Sequence, residues 1–80
     1  MKYTIEKLEL VDPERNHCKF YELEYDAFDK SAVVVTRRWG RIGTTGQVRK
    51  DTFPTSVEGY AFFNEILYSK LRKGYRTVDC

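Results

Sequence analysis

The segment TRRWGRIGTTGQ, Thr36 to Gln47, sets the chain's only tryptophan among arginines: Arg37 and Arg38 precede Trp39, and Gly40 and Arg41 follow it. These residue types suit a polyanion. An indole ring stacks on a base or sugar while guanidinium groups hold phosphate. Glycines let a phosphate approach main-chain N–H groups. On an extended strand, Arg37, Trp39 and Arg41 share one face and Arg38 lies on the other. A lone tryptophan on a valine-rich strand also reads as core. The arginines on its own face argue for exposure, because a core does not tolerate cations without partners. Gly43 and Gly46 read equally as hairpin glycines that take positive φ. Arg49 on the next strand and Lys73 in a second basic cluster, KLRKGYR (Lys70–Arg76), extend the candidate phosphate contacts. Tyr75 reads either as a sheet residue or as a second aromatic contact.

Catalytic chemistry is poorly provided for. His17 is the only histidine, and its neighbour Cys18 points the opposite way on a strand, so the two make no nucleophile–base pair. None of Ser31, Ser56 and Ser69 sits in a nucleophile elbow. Glu22 and Glu24 fall about 7 Å apart on one strand face, near a glycosidase separation, but a solvated face has nothing to raise one pKa. The glycines of GRIGTTG fit neither the dinucleotide fingerprint nor a Walker loop, and no helix follows them. Cys18 and Cys80 have no metal-ligand spacing. The expectation is a binding module without catalysis, metal or cofactor.

Eighty residues suffice for one domain, 1–80, with a thin core. Aromatic residues are 15 % of the chain, which argues against disorder. Net charge is +2, yet residues 1–32 hold eight acids and five bases, whereas residues 33–78 hold nine bases and three acids. Such segregation suits either one basic face or a mixed solvated surface. The N-terminal MKYTIEKLEL is no signal peptide, and no apolar run reaches the length of a membrane span. A cytoplasmic, monomeric protein with reduced thiols is expected.

Strands position the arginine–tryptophan run. Lys2–Val11 is extended, with Tyr3 and Ile5 in one phase and Leu8 and Leu10 in the other, which predicts a bulge or break. DPERN, Asp12–Asn16, predicts a turn. In Cys18–Phe28, Lys19, Tyr21, Leu23, Tyr25 and Ala27 share a face, the pattern of a half-buried antiparallel strand. Asp29–Ser31 closes a hairpin. Ala32–Ile42, with Val33, Val34 and Val35 in succession, predicts a central strand covered on both faces. Gln47–Phe53 returns as a strand that Pro54 stops. Thr55 then caps a helix, with Glu58 three positions on. Tyr60, Phe63, Leu67 and Leu71 form its apolar stripe, and Gly74 ends it. Tyr75–Asp79 can add a short strand. The predicted architecture is α+β: a twisted antiparallel sheet of four to five strands with one C-terminal helix packed on one face.

Together, Trp39-Gly40-Arg41, Ile42-Gly43 and Gly46-Gln47, the upstream NHCKFYELEY and the downstream KGY (Lys73–Tyr75) resemble the WGR domain across residues 3–78. WGR domains occur in poly(ADP-ribose) polymerases and in bacterial proteins. In the polymerases the module contacts DNA breaks near a 5′-phosphate-bearing end and relays that contact to a catalytic domain. By resemblance, Trp39 stacks on a terminal sugar or base, Arg41 meets the backbone or bridges to another domain, and Asn16 and Tyr75 contact the end. These eighty residues hold no catalytic domain, zinc finger or NAD site, so polymerase activity is not implied. The reading is a nucleic-acid-binding module for DNA ends or junctions with little sequence preference, contacting its ligand through Trp39, Gly40, Tyr75, Asn16, Arg37, Arg38, Arg41, Arg49 and Lys73. The alternative is a protein-interaction module docking an acidic partner through the same face.

Overall fold

In the computed structural model, which describes residues 3–28 and 32–78, the chain runs through Tyr3–Asp12 (β1), His17–Asp26 (β2), Val33–Arg41 (β3), Gln47–Phe53 (β4), a helix Ser56–Arg72 (α1) and Arg76–Thr77 (β5). The strands form one antiparallel sheet in the order β4-β3-β2-β1-β5. α1 packs across one face, over β2, β3 and β4. This is the expected α+β arrangement, with five strands.

Period-2 alternation decides what meets the helix. Tyr21, Leu23 and Tyr25 of β2 and Val33 and Val35 of β3 are buried beneath α1, with Leu8 of β1 and Phe63 of α1. The helix begins at Thr55, whose hydroxyl accepts from the Glu58 N–H at 3.2 Å. Its inner face is Gly59, Phe63, Ile66 and Leu67, while Tyr60 and Leu71 are exposed, so the stripe is rotated from Tyr60–Phe63–Leu67–Leu71. Gly59 causes the rotation. A Cβ there would lie 2.6 Å from Val33 Cγ1, so only glycine lets the first turn reach the sheet.

Two expectations fail for physical reasons. β1 pairs with β2 in unbroken register from Tyr3↔Asp26 to Asp12↔His17, without a bulge. Thr4 and Glu6 share the phase of Leu8 and Leu10, and because α1 packs mainly over β2, β3 and β4, polar residues are tolerated along β1. β3 is not covered on both faces: only the α1 side carries a second layer, and Val34 stays half-buried on the other. Asp12–Asn16 does turn, as a 3₁₀ turn over Pro13–Arg15 that ends with Asn16 left-handed at φ 58°. The Asp29–Ser31 turn and Cys80 lie outside the described residues. Among the described residues no helix is long and apolar enough to cross a membrane, and no group of His, Cys, Asp or Glu is placed to hold a metal.

Candidate nucleic-acid interface

The site stands where β2 begins, β3 ends and α1 terminates. Strand register makes its first half. Tyr21 pairs with Trp39 and Lys19 with Arg41, all on the helix side. The Tyr21 and Trp39 rings stack at 6.1 Å and 20°.

A helix C-terminal motif makes the second half. Gly74, at φ +105°, donates its N–H to the Leu71 carbonyl, and Tyr75 donates to the Lys70 carbonyl, both at 3.1 Å. These two bonds define a Schellman cap, which requires a left-handed residue at Gly74. The cap ties Tyr75 to Lys70 and turns both toward Tyr21. The Tyr75 ring meets Tyr21 edge-on at 6.3 Å. Lys70 Nζ lies 4.6 Å from the Tyr21 ring centroid and 5.8 Å from that of Tyr75.

Two hollows share the Trp39 and Tyr75 walls. The larger, about 340 Å³, opens among Asn16, Cys18, Lys19 and Phe20 on one side and Gly40 and Arg41 on the other. The smaller, about 240 Å³, is floored by Tyr21 and flanked by Arg37 and Lys70. No carboxylate lines either hollow. Burial lowers the Lys70 pKa, and the charges of Lys73, Arg37 and Lys19 lower it further. Burial raises the phenols of Tyr21 and Tyr75, while Arg37 draws Tyr21 partly back. Arg37 is already paired with Asp51, whereas Lys19, Arg41 and Lys70 have no carboxylate partner among the described residues.

Five residues singled out by sequence, Asn16, Trp39, Gly40, Arg41 and Tyr75, come together around the larger hollow. Trp39 is half-buried: one face packs on the core through Tyr21, and the ring also walls the open space. It resolves the choice between core and exposed residue by being both. Arg41 is exposed at the strand end, and its carbonyl accepts from Thr44 N–H and hydroxyl.

The remaining candidates separate. Arg38 lies on the opposite face of the sheet, where it grips Glu22 with Nε at 3.2 Å and Nη2 at 2.8 Å. Its Nη1 donates to the Thr45 carbonyl at 2.8 Å, and the guanidinium stacks 4.9 Å over Phe20, so Arg38 braces the Gly43–Gly46 loop from behind. Arg37 stays beside Trp39 but donates to Asp51 at 3.0 Å and lies 5.4 Å over Phe62. Its Nε is buried without a partner. Arg49 is exposed on β4 across from Arg37 and lies 3.7 Å from Asp51, outside both hollows. Lys73 is exposed at the helix end and lines neither. The glycines serve packing first. A Cβ on Gly40 would lie 2.9 Å from Gly46 Cα, and one on Gly46 would overlap the Trp39 carbonyl.

Lys19, Phe20, Tyr21 and Lys70 join the site without having been singled out for it. Lys70 had a signal: it falls seven residues after Phe63, on the buried side of the helix, where a lysine is out of place unless it reaches a functional opening. Lys19 had the phase of Tyr21 but needed the β2–β3 register to meet Arg41.

A five-stranded antiparallel sheet under one helix, with an aromatic, cationic cleft at the helix's C-terminal end, defines a small α+β module. The chain belongs to the WGR domain family, whose model matches residues 6–79. It is similar to "Uncharacterized protein y4dW" of Sinorhizobium fredii, with 32 % identity over 69 residues, covering 86 % of this chain. The chain spans about a third, 34 %, of that relative's length. No solved structure matches.

Proposed function

We propose that this protein binds nucleic acid through the cleft, taking DNA ends or junctions with little sequence preference. One observation carries the reading: Trp39 and Tyr75 wall two adjoining hollows, one rimmed by Lys19 and Arg41 and the other by Arg37 and Lys70, and no carboxylate lines either. A terminal sugar or base stacks on the exposed side of Trp39, whose other side is held by Tyr21. Lys19, Arg41 and Lys70, with Lys73 just outside, receive the backbone phosphates. Arg37 contributes field and holds Trp39 in place, because Asp51 already occupies its guanidinium. Family membership supports the same ligand class, since WGR domains of the polymerases contact DNA breaks. The cleft presents no array of hydrogen-bonding groups to read base edges, so phosphate and stacking contacts set the affinity.

The test is titration of Trp39 emission with short duplexes, 5′-phosphorylated or not, over a salt series. With four cations engaged, log K should fall against log salt with a slope of about −3 to −4. Phosphorylated ends should bind more tightly. A slope near zero, or no quenching at low salt while an acidic protein binds stoichiometrically, would replace this reading with protein docking.

A further inference from the structure

We propose that α1 pairs antiparallel with α1 of a second copy, along the side that faces away from the sheet. The helix carries two apolar stripes, and only one reaches the core. The outer positions Val57, Ala61, Asn64, Tyr68 and Leu71 recur at spacings of four, three, four and three, the repeat of a helix–helix seam. Val57 is 78 % exposed and Tyr68 56 %. A solvated helix face is ordinarily charged; this one carries no charge, and only Asn64 interrupts its aliphatic and aromatic groups.

Charge selects the occupant and its direction. Glu58 near the start of α1 and Arg72 at its end flank the stripe on the same side. A two-fold axis at the helix centre sets Glu58 of each copy beside Arg72 of the other, making two attractive contacts in one isologous interface. Parallel pairing would instead set the Glu58, Glu65 and Arg72 flank of each copy against the partner's other flank, where Tyr60 and Leu67 offer no opposite charge. Antiparallel pairing also opposes the helix dipoles favourably. The small side chain of Ala61 permits close approach near the axis, with Tyr68 of one copy beside the first turns of the other. One like-charge contact remains, Glu65 against its mate near the axis.

The binding cleft stays open in this pair. Lys70 and Tyr75 face the core side at the C-terminal end of α1, so the two clefts sit at opposite ends of the dimer. A dimer of this form presents two ligand sites at once. The proposal rests on the outer stripe alone and stands or falls apart from the nucleic-acid reading.

A single helix pair covers less than the roughly 800 Å² per partner of a standard stable interface, so association should be weak and concentration-dependent. Sedimentation equilibrium of the full chain from about 10 µM to about 1 mM should give a monomer–dimer equilibrium. Tyr68→Glu should remain monomeric with an unchanged far-ultraviolet spectrum. Glu58→Arg should weaken the dimer about tenfold, counting two exchanged surface pairs, and adding Arg72→Glu should restore it. Glu65→Gln should tighten it. A monomer throughout the range, a dimer indifferent to Tyr68→Glu, or a double charge swap that fails to restore association would each overturn the proposal.

Discussion

Along β3 the helix-facing side chains change from Val33 and Val35 to Arg37, Trp39 and Arg41, and the layer between sheet and helix changes with them. At the Val33 end, Gly59 brings α1 into direct contact with the strand, and Phe63 fills the space against Tyr25 at a ring separation of 6.1 Å. Val33, Val35, Tyr25 and Phe63 are all buried. At the Trp39 end the same two elements are separated by wider groups: an indole, two phenols, an ammonium and a guanidinium. Those groups cannot close to core density without stranding charge, so hollows remain between them. One end of the layer is filled by buried apolar side chains, with a hollow at its edge beside Tyr25, Val57 and Tyr60. The other keeps its hollows among aromatic and cationic groups. The anchored end allows the open end to carry partly exposed aromatics at tolerable cost to a small domain.

The sharpest way to break this contrast is to compare one substitution at each end. Phe63→Ala at the closed end should cost about 3–5 kcal/mol by removing a buried aromatic ring and leaving a cavity. In a domain of this size that is a large share of the total, and the urea midpoint should drop accordingly. Where the variant is still folded, its affinity for duplex ends and its salt slope should match the wild type.

Trp39→Leu at the open end should reverse the pattern. Leucine keeps apolar contact with Tyr21 but has no ring face to offer a ligand. Stability should fall by about 1–2 kcal/mol, while affinity for DNA ends falls about 10- to 100-fold, the worth of one stacking contact. If Trp39→Leu destabilised as much as Phe63→Ala and left binding unchanged, the tryptophan would belong to the core and the two ends would not differ in kind.

The contrast was partly legible in the sequence. Alternation assigns Val33, Val35, Arg37 and Trp39 to one face, and the Thr55 cap and Gly74 terminus bracket the helix within a residue or two. Alternation also sends Arg38 to the far face, which already separates it from Trp39. Its actual partner depends on the pairing of Glu22 with Arg38, and that of Arg37 on the pairing of Val35 with Asp51. Register between strands is set by the turns and by burial of whole faces, so a single strand read alone does not reveal which arginines are already occupied. The helix rotation was hidden for a related reason. Gly59 counts as weakly hydrophobic in any periodicity, yet its missing side chain turns Gly59, Phe63 and Ile66 inward and carries Lys70 over Tyr21. Once that rotation is known, Lys70 follows from its spacing to Phe63.

Lys70 therefore supplies the finest test of the open end. Its ammonium faces Tyr21 and Tyr75, with Lys73, Arg37 and Lys19 as the charges nearby, and burial first, then these cations, hold its pKa below the ordinary lysine value. Folding thus favours the neutral form of this lysine. Its contribution to stability is a penalty at neutral pH that is relieved as pH rises between the folded and the unfolded pKa. The raised phenols act oppositely, since the unfolded chain ionises first and stability is lost as pH climbs past the ordinary tyrosine value. Binding separates the lysine from the tyrosines. A polyanion favours charged Lys70, so affinity should begin to fall at a lower pH than an ordinary lysine would dictate. Lys70→Arg keeps a charge throughout and should flatten that decline on the alkaline side, below the ordinary lysine value and the main ionisation of the raised phenols. Measured at constant ionic strength, parallel curves for the wild type and Lys70→Arg would mean that the lysine does not meet the ligand, and that the smaller hollow is a packing defect beside the site instead of part of it.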